Sequence, residues 1–268
     1  MTQAQNTRPV RVGVQLHPQH TTYQSFAEAV KRCEEIGVDT IWDWDHFFPL
    51  YGPQSGPHFE GWTLLTAMAT LTHRAEVGCL VTCNTYRNPA LLSDMAKTVD
   101  HISNGRLILG LGAGWFERDY TEYGYDFGTP GSRLAALEKS LQVIKHRWEV
   151  DVPRPLRKIP IMIGGGGEKV TLKITAQYAD MWHGFGDPTM IGHKLEVLDK
   201  WCSEFGRDPG EIERGCGTQK ADKDETRTAF ARVGVTHLIM GMGEGIAGDT
   251  WDFRAVEKLV KWRDSYNG

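Results

Sequence analysis

Eight times along 268 residues, a short apolar run rich in β-type residues gives way to a longer segment with apolar residues at helical spacing. Parallel strands need long crossovers, usually helices, so this repetition points to a parallel sheet covered by helices. The runs are Arg11–His17, Thr40–Trp44, Glu76–Cys83, Arg106–Gly112, Ile159–Ile163, Asp180–His183, Ile212–Cys216 and Val235–Met240. They are nearly continuous in apolar residues, as strands are when both faces are buried. Ile212–Cys216 carries the weakest signal. Between the runs, Tyr23–Ile36 places Tyr23, Phe26, Ala27, Val30 and Cys33 on one helical face, and Gly37 stops it. Gly61–Leu71 returns to helical spacing through Trp62, Leu65 and Met68. Pro89 opens a helix to about Ile102, and Asn104-Gly105 marks a turn. Leu134, Leu137, Leu141 and Ile144 stripe another helix. Later helices carry Leu172 with Ile174, Ile191 with Leu195 and Leu198, the polar segment Asp222–Ala231, and Val256 with Leu259.

Eight βα units predict an α/β chain folded as a (β/α)8 TIM barrel. An open doubly wound sheet uses the same alternation and is the structural alternative. Residues 1–9 read as a polar tail, and 10–268 read as a single domain. Lys plus Arg is 30 against 34 Asp plus Glu, a net charge of −4, which argues against broad binding of a nucleic-acid backbone. No apolar run reaches the roughly 20 residues of a membrane span. The five cysteines are scattered and odd in number, which suits thiols in a reducing cytoplasm better than a disulfide framework.

Barrel active sites lie at the C-terminal ends of the strands. That rule selects Gln15 and His17 after the first strand, Asp43 through His46 after the second, and Thr82 through Asn84 after the third. It also selects Gly110 through Trp115, the run Gly164–Gly167, and Trp182-His183. Tryptophans and polar residues at these ends suit a flat aromatic ligand. The glycine run, followed by Glu168, Lys169 and Val170, allows close backbone approach at a helix start, where free amides and the helix dipole attract phosphate. No Gly-Lys-Ser/Thr follows, so it is no P-loop. Barrel phosphate sites are commoner after strands seven and eight than after the fifth. Gly110, Gly112 and Gly114 make an imperfect dinucleotide fingerprint. Asp45 and His46 form a candidate acid/base pair. His17, His20, Asp43, Asp45 and His58 supply metal-ligand types, but without compact ligand spacing, and no metal site is assigned. His73, His146, His193 and His237 read as surface or helix histidines.

These residues carry a family resemblance. Trp42–Phe47 (WDWDHF), Val81–Leu91 (VTCNTYRNPAL), Asp100–Trp115 (DHISNGRLILGLGAGW), Ile161–Val170 (IMIGGGGEKV) and Ala179–Trp182 (ADMW) resemble segments of the luciferase-like monooxygenase superfamily. Within it they are most similar to the actinobacterial coenzyme F420-dependent oxidoreductases. The likeness runs from about Arg11 to Ser265. It implies a barrel holding a flavin or 5-deazaflavin at its C-terminal mouth, with F420 expected and FMN the alternative. It implies Asp45 and His46 beside the reactive ring, with His46 near substrate and Asp45 setting its tautomer or holding the loop. It places a non-proline cis peptide at Cys79-Leu80, behind the ring. Thr82 and Asn84 match contacts to ring or ribityl chain, and Ala113, Gly114 and Trp115 match the segment lining the cofactor. Gly166, Gly167, Glu168, Lys169 and Val170 match the loop holding its phosphate. Gln15, His17, Trp44, Trp115 and Trp182 are the expected substrate walls, with loops 47–60 and 115–130 shaping the rest. Sugar-phosphate dehydrogenases of the group carry an acidic Glu where Trp115 stands, which counts against glucose 6-phosphate as substrate. Relatives are often homodimers. The implied activity is hydride transfer between F420 and a small organic substrate. An FMN monooxygenase, a metal-dependent hydrolase and a non-catalytic cofactor carrier are the competing readings.

Overall fold

Each of the eight apolar runs contributes a parallel strand in the computed structural model, which describes residues 8–243 and 251–268. Residues 1–7 of the expected tail lie outside the described residues. The elements are β1 (Arg11–Leu16), α1 (Tyr23–Ile36), β2 (Thr40–Asp43), α2 (Gly61–Leu71), β3 (Glu76–Cys79), β4 (Thr82–Cys83) and α3 (Pro89–Ile102). Then follow β5 (Leu109–Gly112), α4 (Glu117–Tyr123), α5 (Pro130–Val150), β6 (Ile161–Gly164), α6 (Thr171–Tyr178) and β7 (Met181–Gly184). The last are α7 (Pro188–Glu204), β8 (Glu213–Thr218), α8 (Asp224–Arg232), β9 (His237–Met242) and α9 (Phe253–Asn267).

The strands run β3-β2-β1-β9-β8-β7-β6-β5-β4, all parallel. β3 and β4 are the two halves of one expected strand, interrupted at Leu80-Val81, and a parallel bridge from Val77 to Leu107 joins β3 to the β5 chain. Nine strands therefore form eight staves, and the ring closes; the open-sheet alternative falls. The cis bond lies at Leu80-Val81, one residue beyond the expected Cys79-Leu80. The polar run expected to make the weakest strand gives β8, six residues long and paired on both sides. The segment expected as loop between Trp115 and Thr129 contains α4.

Alternation along the strands sorts side chains into two shells. Trp42, Leu80, Ile108, Met162, Met181 and Ile239 form the plug inside the barrel. Gly78 makes room for it, because a Cβ there would lie 2.6 Å from the Trp42 ring. Val12, Val14, Ile41, Val77, Leu111, Ile163 and Leu238 face outward into the helix layer. At the N-terminal floor, Arg11 pairs with Glu76 and Glu213, and the Glu213 carboxylate lies 2.7 Å from His237 Nδ1. His237 Nε2 meets Thr40 Oγ1 at 2.8 Å. His237 is thus a fully buried barrel residue and not the surface histidine its sequence context suggested. Helix caps are local: Thr22 accepts from Ser25 N, Gly37 ends α1 at φ +99°, and Thr129 with Ser132 forms a capping box on α5.

Candidate active site

At the C-terminal mouth, His46 follows β2 and His17 follows β1. His46 Nδ1 lies 2.7 Å from Asp119 Oδ2, on α4. The same carboxylate accepts Tyr86 Oη–H at 2.9 Å and the Phe47 amide at 3.1 Å, and Asp119 is fully buried. A buried carboxylate accepting at Nδ1 fixes the imidazole's orientation and favours the Nδ1–H tautomer. Nε2 is then left to accept or return a proton. This is the geometry of a positioned general acid/base.

The expectation that Asp45 sets the His46 tautomer is corrected by this geometry: Asp119 does so. Asp45 performs the other expected role and holds the loop. Its carboxylate forms a two-toothed ion pair with Arg87, at 2.6 and 2.8 Å, and accepts the Cys83 amide at 2.9 Å. Arg87 also reaches Glu60 at 2.8 Å, and Glu60 caps α2 through the Trp62 and Thr63 amides. The β2 and β4 loops are tied together in this way.

Several buried polar atoms at these strand ends have no partner among the described residues: Thr82 Oγ1, Asn84 Oδ1 and His183 Nε2. An unmade hydrogen bond at a buried group costs about 1–3 kcal/mol, so a bound group that supplied partners here would be favoured. Between the staves, Val81 lies against Gly112 and Gly164. A Cβ on Gly112 would lie 2.7 Å from one Val81 methyl, and one on Gly164 would lie 3.0 Å from the other. The two glycines thus make room for the Val81 side chain, whose methyls lie against the strand ends as a small apolar surface that a planar ring can cover. Gln15, expected as a substrate wall, instead braces this bulge by donating from Nε2 to the Leu80 carbonyl at 2.5 Å.

Next to this surface runs the β6–α6 loop. Gly165 sits at φ +124°, donates to the His183 carbonyl at 3.0 Å and accepts from Trp182 Nε1 at 2.8 Å. No backbone or side-chain acceptor among the described residues takes the amides of residues 166 to 170, and α6 has no side-chain cap. A loop of free amides at a helix start fits a phosphate. Lys169, expected as its cation, is exposed and makes no ion pair among the described residues. Lys194, from α7, reaches across the loop: its Nζ donates to Glu168 at 2.6 Å, and its Cε lies 3.7 Å from where a Gly166 Cβ would stand. Taken together, the orphaned polar atoms, the Val81 methyls over two glycines and the free amides fit a flat cofactor bearing a phosphate.

Two expected residues point elsewhere. Trp182 is fully buried in the outer core, whereas His183 beside it faces inward. Cys79 also belongs to the outer core, which leaves only its backbone near the bulge. Ala113 packs against the outer core, Gly114 sits at φ +83°, and Val170 and Trp115 are exposed at the rim. His17 stacks on Trp44 with centroids 4.3 Å apart, and Trp44 Nε1 donates to His58 Nε2 at 2.9 Å. Burial pushes both His17 and His58 down to about 4, and His183 down to about 3, so all three are neutral near pH 7. Reading strand ends did not find Asp119, Tyr86 or Arg87, because they sit in helices and turns beyond those ends. The segment Glu117–Tyr123 offered one signal: Asp119 and Tyr120 are a polar-aromatic pair within a loop already assigned to the substrate.

The luciferase-like monooxygenase family description matches residues 7–242. An F420-dependent glucose-6-phosphate dehydrogenase of Amycolatopsis mediterranei (strain U-32) is 29% identical over 63% of this chain and 54% of its own length. A phthiodiolone/phenolphthiodiolone dimycocerosates ketoreductase of Mycobacterium bovis (strain BCG / Pasteur 1173P2) is 28% identical over 83% of this chain and 67% of its own. The chain thus spans about half the length of the first relative and two thirds of the second. Among solved structures, an F420-dependent secondary alcohol dehydrogenase in complex with an F420-acetone adduct superimposes with a TM-score of 0.83 at 16% identity, covering 95% of this chain and 99% of that one. No described helix is long and apolar enough to cross a membrane. With barrel, mouth and family description in agreement over nearly the same residues, the chain belongs to the luciferase-like monooxygenase family.

Proposed function

We propose that this chain is an oxidoreductase that works with the 5-deazaflavin coenzyme F420 on a small organic substrate. The observation that carries the reading is the Asp119–His46 pair, which leaves Nε2 available at the same barrel end as the Val81 surface and the free amides of residues 166 to 170. The F420 dependence of the Amycolatopsis relative and of the secondary alcohol dehydrogenase supports the choice of cofactor. The amides of residues 166 to 170, with Lys194, would hold its phosphate; Thr82, Asn84 and His183 would meet its polar edge, and Val81 would back its ring. When bound, a 5-deazaflavin exchanges hydride with a substrate carbon without activating oxygen.

The protein's own part is proton handling and position. His46 Nε2 takes the proton from a substrate hydroxyl, or returns it to a carbonyl oxygen, while Asp119 stabilises the charged imidazole and keeps its plane fixed. Asp45 and Arg87 keep the two loops from drifting apart. The test is turnover of F420 against a panel of alcohols and carbonyl compounds, with His46→Ala beside the unaltered protein. His46→Ala is expected to bind F420 as before and to lose roughly 10²–10⁴-fold in turnover. Unchanged turnover in that variant removes His46 from the mechanism.

A further inference from the structure

Among the described residues, the side chains that ring His46 are aromatic. Trp115 meets its imidazole edge-on with centroids 5.7 Å apart, and Phe116 does so at 5.6 Å. Trp44 closes a third side at 6.1 Å, itself layered between His17 and His58. Tyr51 tilts against both His17 and Trp44. Trp115 is 65% exposed and Tyr51 is 59% exposed. A single exposed aromatic is ordinary, but two large rings open beside a positioned acid/base group are a surface awaiting an apolar partner.

Charge in the same region is already spent. Asp119 is used by His46, Tyr86 and Phe47, and Arg87 by Asp45 and Glu60. Arg118 lies over the Phe48 ring, donates to Gln54 and pairs with Glu122 at 3.6 Å. Both layered histidines are neutral. Lys220 is exposed, is felt at His17 and makes no ion pair among the described residues. A phosphorylated sugar would have to leave water for aromatic rings with no cation among the described residues set against His46 to meet its charge, and desolvating an anion without a matched partner is costly.

We infer that the substrate is an uncharged aromatic alcohol, or the corresponding ketone, seated on Trp115 with its oxygen at His46 Nε2. This rests on the proposed function above. In oxidation, the carbinol C–H bond breaks and its hydrogen leaves with the electron pair to the oxidised deazaflavin. The O–H proton passes to His46 Nε2, and the C=O bond forms; reduction is the reverse. Stacked aromatic contacts give selectivity to a ring without fixing its substituents.

The test is saturation-transfer NMR on protein first saturated with F420, using 1-phenylethanol, acetophenone and glucose 6-phosphate as probes. Three proteins are compared: unaltered, Trp115→Ala and Trp115→Phe. Trp115 is exposed, so neither variant disturbs the core. The two aromatic probes are expected to bind, about tenfold more weakly in Trp115→Ala, with most of the affinity kept by Trp115→Phe. Binding of glucose 6-phosphate without the aromatic probes overturns the inference, and so does an unaltered affinity in Trp115→Ala. Failure of F420 to saturate the protein is read separately, by tryptophan quenching, and refutes the proposed function together with this inference. Failure of the aromatic probes on F420-saturated protein refutes this inference alone.

Discussion

Asp119→Asn separates positioning from mere packing at His46. The carboxylate is fully buried and accepts three hydrogen bonds, from His46 Nδ1 at 2.7 Å, Tyr86 Oη at 2.9 Å and the Phe47 amide at 3.1 Å. Asparagine keeps the shape but has one acceptor oxygen. If that oxygen keeps the Phe47 amide, the NH₂ group faces His46 Nδ1 and Tyr86 Oη. Tyr86 can rotate its proton away, whereas the imidazole must present a lone pair at Nδ1 and carry its proton on Nε2. Nε2 then cannot accept the substrate's proton. A charge-assisted hydrogen bond contributes about 1.5–3 kcal/mol, so roughly 2 kcal/mol of stability is lost. At about 2–4 °C per kcal/mol for a large domain, Tm falls by about 4–8 °C. Turnover falls by roughly 10²–10⁴-fold, the usual range for general acid/base groups. The tautomer is read directly from nitrogen NMR of histidine-labelled protein, with His46→Ala assigning the signal. The expected spectrum shows Nδ1–H in the unaltered protein and Nε2–H in the variant. A lowered Tm with the tautomer and turnover unchanged refutes the positioning role and leaves Asp119 as packing.

Other perturbations probe the frame around that pair. Glu213→Gln leaves His237 without its buried carboxylate and costs Arg11 one of two partners; burial works against the charge, yet His237 and Arg11 hold this carboxyl at about 2. Breaking it is expected to cost about 3 kcal/mol in urea unfolding, and a cost below half of that contradicts the assignment. His17, His58 and His183 are neutral when folded, with values of about 4, 4 and 3, but titrate near 6.5 when unfolded. The unfolded chain therefore binds more protons as pH falls below 6.5, and stability drops by up to roughly 1.4 kcal/mol per pH unit for each. Between pH 6.5 and 4.5, above the range in which Glu213 contributes, His183→Phe is expected to flatten that slope by about one proton, measured from unfolding curves at several pH values. Gly164→Ala drives a methyl to 3.0 Å from Val81 and is expected to weaken cofactor affinity about tenfold, at a folding cost of about 1–3 kcal/mol. Unchanged affinity there places the ring elsewhere.

The barrel was legible because both of its periods are written into the chain. Continuous apolar runs become staves, and helical stripes such as Leu137, Leu141 and Ile144 become the buried face of α5. Boundaries moved where the backbone does something a pattern cannot express. The interruption at Leu80-Val81 splits one run into β3 and β4 and carries the inward face past it unbroken, from Leu80 to Val81. Side-chain direction was the second limit. Trp182 and His183 both stand at a strand end, but period-2 alternation sends the tryptophan outward and the histidine inward, and register is not apparent without the partner strand. The third limit was distance along the chain. His46 meets Asp119 across 73 residues, and Asp45 meets Arg87 across 42, so adjacency in sequence suggested the wrong partner for His46.

A mouth that holds a deazaflavin should tell its ring from that of a flavin. That discrimination is tested most directly by titrating purified protein, freed of cofactor, with coenzyme F420 and separately with FMN, following quenching of the nine tryptophans. Both ligands carry a phosphate that the same loop would hold, so the comparison isolates the ring and its surroundings. Tight F420 binding with weak FMN binding is the expected result. Tight FMN binding with weak F420 binding would contradict it and make oxygen a required reactant, and binding of neither would leave the barrel standing without its cofactor.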